Sequence, residues 1–315
     1  IVVQYLGFQP VDSLITLSDS TVMVKFEMKQ KNTELDPIQV RKAKMQMIAQ
    51  NKEVSHSTIN PVGFVNLPNL GETDIFRTIQ MLPGIGYTEG SSGLNIRGGT
   101  PDQNLVLFDG FTFYNLDHFF GTFSSINPNV VKDIQIYKGG FDSRYGERLS
   151  GIIDITGKTG NKYQPKVSGG VNLLSANLTA EVPFSEKLTL VVGGRRSYAD
   201  IYSTFLVNSM LENRVEDVSS ASETNSVVQL EPGFYFYDYN AKLTFSKNER
   251  EKMSVSVFGG KDFLASSGEG KIKQAFSSTD NDANWGNYGI SFSWIKQWRE
   301  KFFSNLQIGY SGYQN

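Results

Sequence analysis

Two hydrophobic periodicities divide the chain. Near residue 75 the apolar residues recur at the spacing of one helical face, at Ile75, Phe76, Ile79 and Leu82. Beyond Gly160 the period changes to two, and apolar and polar residues alternate along stretches such as 176–184 and 287–294. This change predicts a small mixed α/β region followed by a series of two-faced antiparallel strands.

Local signals give the mixed region its elements. Thr73 or Asp74 can cap a helix that Pro83-Gly84 ends, and the apolar spacing predicts a length of about three turns. Asp109-Gly110 lies between two apolar runs, which predicts a tight β-hairpin. Asn127-Pro128-Asn129 predicts a short helix before a strand over 133–137.

The alternating region predicts roughly seven strands, each long enough for the 9 to 11 or so tilted residues that cross a bilayer. The stretch 166–184 slips phase near Leu174-Ser175, so we divide it into two strands. The connections at 185–187, 247–251 and 299–301 are short, whereas 199–234 and 264–284 are long and polar. Short turns that alternate with long loops are typical of outer-membrane β-barrels.

Composition excludes several classes of function. The 315 residues carry 30 Lys plus Arg against 32 Asp plus Glu, which gives no reason to expect a nucleic-acid partner. Cys is absent, and the two histidines, His56 and His118, stand far apart. We therefore expect no metal site, no cofactor and no enzymatic activity.

Two stretches look like ligand-binding loops, but their residue spacing does not match a phosphate loop or a calcium loop. The run Gly151 to Thr159 has five residues between its glycines where a phosphate loop has four, and it is typical of a strand. The run 280–284 has alternate oxygen ligands but lacks the glycine and glutamate of a calcium loop, so we interpret it as a solvated outer loop.

The front of the chain has a different character. Residues 1–30 are β-rich, and residues 31–52 are polar and charged, as in a linker. No leader sequence or uninterrupted apolar run of about 18 residues is visible. We expect a mature, trimmed or partial N-terminus.

Six sequence blocks then carry a family resemblance. In order they are Leu82-Pro83-Gly84-Ile85, Leu94-Asn95-Ile96-Arg97-Gly98-Gly99, Asn104 to Gly110, Asp133 to Gly140, Tyr145-Gly146-Glu147-Arg148 and Gly151 to Thr156. This series closely resembles the plug domain of TonB-dependent outer-membrane transporters. Tyr5-Leu6-Gly7-Phe8 resembles the end of the carboxypeptidase-regulatory-like domain that precedes the plug in many Bacteroidetes transporters.

The resemblance implies a mainly β fold in which a small α/β plug lies inside a transmembrane antiparallel barrel. Such plugged barrels have about 22 strands, so we expect the protein to continue past Asn315. The predicted domains are the end of the front β domain (1–30), a linker (31–52), the plug (53–160) and the first barrel strands (161–315).

The resemblance also implies functional residues. The extended segment Asp36, Pro37, Ile38, Gln39 and Val40 is the candidate TonB box, because a short extended segment can add to a partner's sheet edge. The alternative is a domain connector or the first plug strand. The plug motif residues are Arg97, Gly98, Asp109, Gly110, Gly139, Arg144, Tyr145, Gly146 and Arg148.

Three of these residues, Arg97, Arg144 and Arg148, are expected to face carboxylates on the barrel wall, with exposed plug arginines as the alternative. Ligand contact at the plug apex is expected at Phe113, Tyr114, His118 and Phe119. The same aromatic residues can instead pack the plug apex against the barrel.

The function implied is TonB-dependent uptake of a scarce solute, such as a metal chelate, cobalamin, a glycan or a peptide, at the outer membrane of a Gram-negative cell. The implied partners are TonB with ExbB and ExbD, outer-membrane lipids, a surface lipoprotein and the small or oligomeric substrate. The loops would be extracellular and the N-terminal domains periplasmic. Two alternatives are a structural subunit of an outer-membrane assembly that keeps this fold, and a soluble β-rich binding protein.

Overall fold

The computed structural model describes residues 1–4, 9–14, 23–29, 48–50, 55–61, 73–87, 93–118, 121, 123–172, 174–201, 229–272 and 275–315. The chain divides into two compact units, Ile1–Lys44 and Met45–Asn315. In the first unit, strands β1 (Val2–Val3) and β2 (Val11–Asp12) pair antiparallel. The candidate TonB box, Asp36 to Val40, lies outside the described residues.

The second unit begins with the α/β region called the plug below. Its elements in chain order are β3 (Ile48–Gln50), β4 (His56–Ile59), α1 (Ile75–Gln80), β5 (Ile85–Tyr87), β6 (Leu94–Ile96), β7 (Leu105–Phe108), β8 (Phe111–Thr112), β9 (Asp117–His118), β10 (Phe123–Ser124), β11 (Val131–Tyr137) and β12 (Ile152–Gly157). Within the described residues, 3-10 helices also span Pro101–Gln103 and Pro128–Val130.

Six of these strands form one sheet in the order β3-β4-β11-β12-β7-β8, in which only β12 and β7 run parallel. Strand β3 lies within the predicted linker, so the plug sheet begins earlier than the predicted boundary at residue 53. The fully buried side chains of Ile59, Phe76, Ile134 and Ile155 belong to one core under this sheet.

Helix α1 is shorter than its apolar spacing predicts. It has 6 residues, begins after the cap Asp74, whose side chain accepts the Arg77 N–H at 2.9 Å, and ends before Met81. The amides of Met81 and Leu82 bond three residues back, to Thr78 and Ile79, so the last predicted turn tightens instead of continuing as α-helix. The predicted hairpin and the predicted short helix at Pro128 are confirmed.

The rest of the unit is a sheet of seven antiparallel strands in sequential order, called the barrel sheet below. Its strands are β13 (Lys166–Val171), β14 (Ser175–Ser185), β15 (Leu188–Ser197), β16 (Gln229–Asn248), β17 (Glu251–Ile272), β18 (Ala275–Arg299) and β19 (Phe302–Gln314). The predicted number of strands and the division near Leu174-Ser175 are confirmed.

The predicted long outer loop 264–284 is wrong. Strands β17 and β18 stay paired from Leu264↔Ala283 out to Ile272↔Ala275. Ladder hydrogen bonds join backbone groups, so a polar segment without apolar alternation still extends a hairpin. Among the described residues, no helix is long and apolar enough to cross a membrane.

Candidate functional site

Many polar side chains of the barrel sheet are buried, and many of its apolar side chains are exposed. The buried polar side chains face the plug and include Thr189, Arg195, Asp238, Asn240, Lys242, Thr244, Ser256, Asp262, Asn287 and Ser291. The exposed apolar side chains lie on the opposite face and include Val192, Leu243, Phe245, Val255, Ile290, Leu306 and Ile308. This inverted pattern is that of a sheet with lipid outside and polar groups inside.

The turn of the β7–β8 hairpin ties the plug to this inner face, and we call these contacts the Asp109 anchor. Asp109 forms a buried ion pair with Lys242 of β16 and accepts hydrogen bonds from the Gly157 N–H at 3.0 Å and the Ser256 hydroxyl at 2.8 Å. Lys242 also donates to the Gly157 carbonyl at 3.1 Å, and the Gln307 side chain donates to the Asp109 carbonyl at 3.1 Å. One aspartate thus links the plug to three barrel strands, β16, β17 and β19.

The backbone shape of this turn explains its two residues. Asp109 has φ 48° and Gly110 has φ 90°, which is the left-handed conformation that a two-residue hairpin turn requires. A side chain at Gly110 would also meet the Gln307 side chain. The Asp-Gly pair therefore fits both the turn and the close approach of the barrel wall.

Side-chain amides and hydroxyls make further links between the plug and the barrel sheet. The Asn287 side chain accepts from the Tyr114 and Asn115 amides, each at 3.1 Å. Other links join Asn129 to Asn177 at 3.0 Å and the Thr112 amide to the Ser311 hydroxyl at 3.3 Å. The plug therefore meets the wall largely through polar contacts, which water can replace.

One apolar side chain of the wall reaches into the plug core. Phe258 of β17 is 3 % exposed, and its ring centroid lies 4.6 Å from that of Phe113 and 6.3 Å from those of Phe108 and Phe111. Phe113, predicted to contact ligand, is a core residue in this structure.

Four ionisable side chains meet where β9 and β10 touch the wall, and we call them the apical cluster. His118 Nδ1 lies 2.8 Å from Asp262 Oδ2, and His118 Nε2 lies 3.5 Å from Asp238 Oδ2. Arg195 pairs with Asp238 at 2.6 Å and donates to the Ser124 carbonyl at 2.7 Å.

The protonation of His118 follows from these neighbours. Burial by itself lowers the pKa of His118, but the charge and hydrogen bond of Asp262, together with the nearby Asp238 carboxylate, outweigh burial and the repulsion of Arg195. The pKa of His118 is therefore raised above its ordinary value, which favours the imidazolium form.

The Arg-Tyr part of the plug motif has contacts inside the plug. Tyr145 donates to Asp154 Oδ2 at 2.7 Å, and Arg144 donates to the Tyr145 hydroxyl at 3.0 Å and lies over its ring. Burial, followed by the neighbouring Asp154 carboxylate, raises the pKa of Tyr145, so the phenol stays protonated. These contacts fasten the loop after β11 to β12.

Three further residues of the plug motif have positive φ angles, and one of them is an arginine. Arg97 and Gly98 have φ 50° and 81°, and Gly139 has φ 120°, so all three lie in tight turns. The Arg97 side chain is exposed, and Arg148 donates to the Glu147 carbonyl at 3.2 Å. No ion pair joins Arg97, Arg144 or Arg148 to a carboxylate within the described ranges, and the expected pairing with the barrel wall stays a prediction.

The residues predicted to contact ligand at the plug apex differ in their exposure to solvent. The Tyr114 side chain is 51 % exposed, whereas Phe113 and His118 are buried. Phe119 lies outside the described residues. Among the described residues, no group of three or more His, Asp or Glu side chains is placed to hold a metal ion.

Sequence reasoning did not single out the wall residues Arg195, Asp238, Lys242, Asp262 and Asn287. Their one sequence signal is a polar residue at an inward position of an alternating strand. Many serines and threonines share that signal, so it does not identify which residues reach the plug.

A cavity of about 1150 Å³ lies between the plug and the inner face of strands β16 to β19. Charged residues of the plug and the wall line it, including Asp109, Lys132, Arg144, Asp154, Lys242 and Lys252. The space next to the Asp109 anchor is therefore polar.

Comparison with known proteins gives one family match. Residues 55–152 match the family model described as TonB-dependent Receptor Plug Domain. A sequence search of curated proteins found no match.

Several solved structures are similar to this chain. The outer-membrane transporter YddB from Escherichia coli is 13% identical, with a TM-score of 0.50 over 82% of this chain and 38% of that chain. The siderophore receptor PirA from Acinetobacter baumannii is 13% identical, with a TM-score of 0.47 over 82% and 48%. The siderophore receptor PirA from Pseudomonas aeruginosa is 16% identical, with a TM-score of 0.45 over 84% and 50%.

The chain spans half the length of these structures or less. At such identities the likeness to YddB shows the fold alone.

Proposed function

We propose that this protein is an energised transporter of the Gram-negative outer membrane, because residues 55–152 match the family model of the TonB-dependent receptor plug domain. The chain supplies the plug and seven strands of the barrel that encloses it. The solute is a scarce nutrient of one of four classes: a metal chelate, cobalamin, a glycan or a peptide.

The observation that carries this proposal is the inverted pattern of the barrel sheet. Lys242 and Asp238 are buried against the plug, while Leu243 and Tyr239 beside them are exposed on the other face. A soluble protein would lose free energy by exposing this apolar face, whereas a bilayer covers it. A wide barrel is a water-filled pore unless something fills it, and the plug fills that role.

The type of contact between plug and wall supports a plug that moves. Asn287, Asn129 and Thr112 lie in hydrogen bonds that water can replace, each contributing about 0.5–1.5 kcal/mol net. The Asp109 anchor and Phe258 hold the plug more firmly. Pulling by a partner would therefore break the weak hydrogen bonds before the Asp109 anchor and the Phe258 contacts.

The pulling partner in this proposal is TonB, energised through ExbB and ExbD, and the segment it engages is Asp36 to Val40. The sequence favours a short extended Ile-Gln-Val segment preceded by proline, whose backbone groups would be available to join a sheet edge in TonB. Extracellular loops and the plug apex near Tyr114 would bind the solute, and a surface lipoprotein is a further partner to test.

The proposal is tested by deleting Asp36 to Val40 from the full-length protein in its own cell. We expect lost growth on one limiting nutrient among iron, cobalamin and glycan sources, equal to the loss in a full gene deletion. Outer-membrane levels of the protein must stay normal, and a deletion of equal length at 41–45 is the matched control.

Unimpaired growth on every nutrient that the full deletion affects would contradict transport through this box. That outcome would favour the structural-subunit alternative or place the TonB-binding segment elsewhere in the chain.

A further inference from the structure

The apical cluster joins a plug hairpin to three barrel strands. His118 ends β9, Arg195 lies on β15, Asp238 on β16 and Asp262 on β17, and each residue is at most 4 % exposed. The paired strands β9 (Asp117–His118) and β10 (Phe123–Ser124) are together called the apical hairpin below. It is held in place by His118 and by the Ser124 carbonyl, which accepts from Arg195.

The charges of the cluster balance only when His118 is protonated. Arg195 is committed to Asp238, with which it makes both an ion pair and a 2.7 Å hydrogen bond. The partner of Asp262 is His118, and Asp262 Oδ1 has no hydrogen bond in the described part of the chain. A neutral imidazole would leave Asp262 as a buried carboxylate without a cation.

The aromatic neighbour of His118 also suits a cation. The imidazole stacks on Phe236 with ring centroids 4.1 Å apart and planes 10° apart, and the Arg195 guanidinium lies 5.2 Å from the same ring. The negative face of an aromatic ring attracts a cation at this distance. The ring nitrogen Nε2 has no hydrogen bond and faces the Asp238 carboxylate, so a proton there meets a negative charge.

Other titratable groups surround the cluster. Asp117 precedes His118 on β9, and Asp74 at the start of α1 lies near enough to interact with Arg195. Tyr313 of β19 interacts with both Asp262 and Asp117. The surrounding charges are therefore mainly acidic, which adds to the attraction for a protonated His118.

We propose that His118 is a positioning residue that holds the apical hairpin against the barrel wall as an imidazolium, and that loss of its proton releases the hairpin. The inference concerns how the plug is seated, and it holds whether or not the protein transports a solute. The apical hairpin is therefore a latch whose strength depends on proton occupancy.

The direction of the pH dependence follows from the raised pKa of His118. The contribution of the latch is fully present below the ordinary histidine pKa of about 6.5 and is lost as pH rises through the raised value in the folded protein. Deprotonation of His118 as pH rises therefore loosens the hairpin.

Hydrogen exchange of the full-length protein, purified in detergent, tests the proposal at neutral pH. The readout is a peptide covering residues 112–126, in which β9 and β10 pair and the Ser125 amide bonds to the Leu116 carbonyl at 3.0 Å. We expect His118→Gln to speed exchange of this peptide by about tenfold to 100-fold, since a hydrogen bond between charged groups is lost in a buried site. His56→Gln, the change at the other histidine, should leave this peptide unchanged.

The double variant His118→Gln with Asp262→Asn separates charge from shape. It removes the unpaired carboxylate, so we expect protection to return to within about threefold of the original protein. Unchanged exchange in His118→Gln would overturn the proposal, and so would a double variant that exchanges as fast as His118→Gln, because the ring itself would then hold the hairpin.

A pH series on the protein with His118 intact keeps the test independent of that substitution. We expect protection of peptide 112–126 to fall with rising pH, and the fall to begin about one pH unit lower or more in Asp262→Asn, after correction by a plug peptide remote from the cluster. Protection that does not change with pH would overturn the proposal.

Discussion

At the scale of single residues, Asp109 combines two roles, because it closes a turn of the plug and binds the barrel wall. Its left-handed backbone lets it close the β7–β8 turn, and its carboxylate is left to bind Lys242, Ser256 and the Gly157 amide. Both members of the ion pair are about 7 % exposed, so each relies on the other to offset the loss of water.

Removing Lys242 therefore leaves a buried carboxylate without its cation. We expect Lys242→Met to lower the free energy of plug unfolding by about 3–5 kcal/mol. Urea denaturation of the detergent-solubilised protein, followed by a plug fluorophore, measures this change.

Two further variants make that measurement specific. Lys187→Met, at an exposed turn between β14 and β15, should change the free energy by less than about 0.5 kcal/mol. Asp109→Asn combined with Lys242→Met should recover most of the loss, since no charge is then stranded. An unfolding midpoint unchanged in Lys242→Met would show that the pair does not seat the plug.

At the scale of elements, each barrel strand separates two environments. On β18 and β19 the side chains of Ile295 and Leu306 lie at the same level, since Asn305 pairs with Ile295 and Leu306 with Trp294. Both are 45 % exposed, yet Ile295 lines the inner cavity and Leu306 points away from the plug. Exposure alone therefore does not say which solvent a side chain meets.

This pair gives a matched test of the two faces. We expect Leu306→Arg to destabilise the folded barrel by about 2 kcal/mol, because an arginine would face hydrocarbon. Ile295→Arg should cost less than about 1 kcal/mol, since its guanidinium can reach water in the cavity. Urea unfolding in lipid vesicles measures both, and equal costs for the two variants would argue against lipid on the outer face.

At the scale of the whole molecule, the bulk composition does not reveal the apolar outer face of the barrel sheet. Mean hydropathy is -0.29 and net charge is -2, values ordinary for a water-soluble chain. Every second strand residue is polar, so the average stays low although one face of the sheet is apolar.

We therefore expect the full-length protein to fractionate with outer membranes and to resist extraction by carbonate, while detergent releases it. Immunoblots of the fractions make the measurement, with a periplasmic protein as the soluble control. Recovery in the soluble periplasmic fraction without detergent would favour the soluble β-rich alternative.

The sequence predicted local features wherever the cause is local. Asp109-Gly110 predicted its hairpin because few residues adopt that turn, and Asn127-Pro128 predicted a short helical turn because proline fixes the first position. Alternation predicted seven strands because a sheet between two environments forces a period of two. The order of the six plug blocks predicted the family match.

Local patterns were insufficient where pairing or packing decides. The hairpin of β17 and β18 extends through a polar stretch because backbone bonds with a neighbour, unseen in either segment alone, hold it. Phe113 belongs to the core because Phe258 of a distant strand covers it.

The sequence by itself therefore determined the order of the elements and their two-faced character, which depend on neighbours a few residues apart, and it predicted the plug match from the order of six blocks. Only the tertiary structure decided that Asp109 meets Lys242, 133 residues away, and that His118 meets Asp262, 144 residues away. The physical reason is that burial and charge pairing depend on which strands lie against a side chain, and the packing of the barrel sheet against the plug sets that choice.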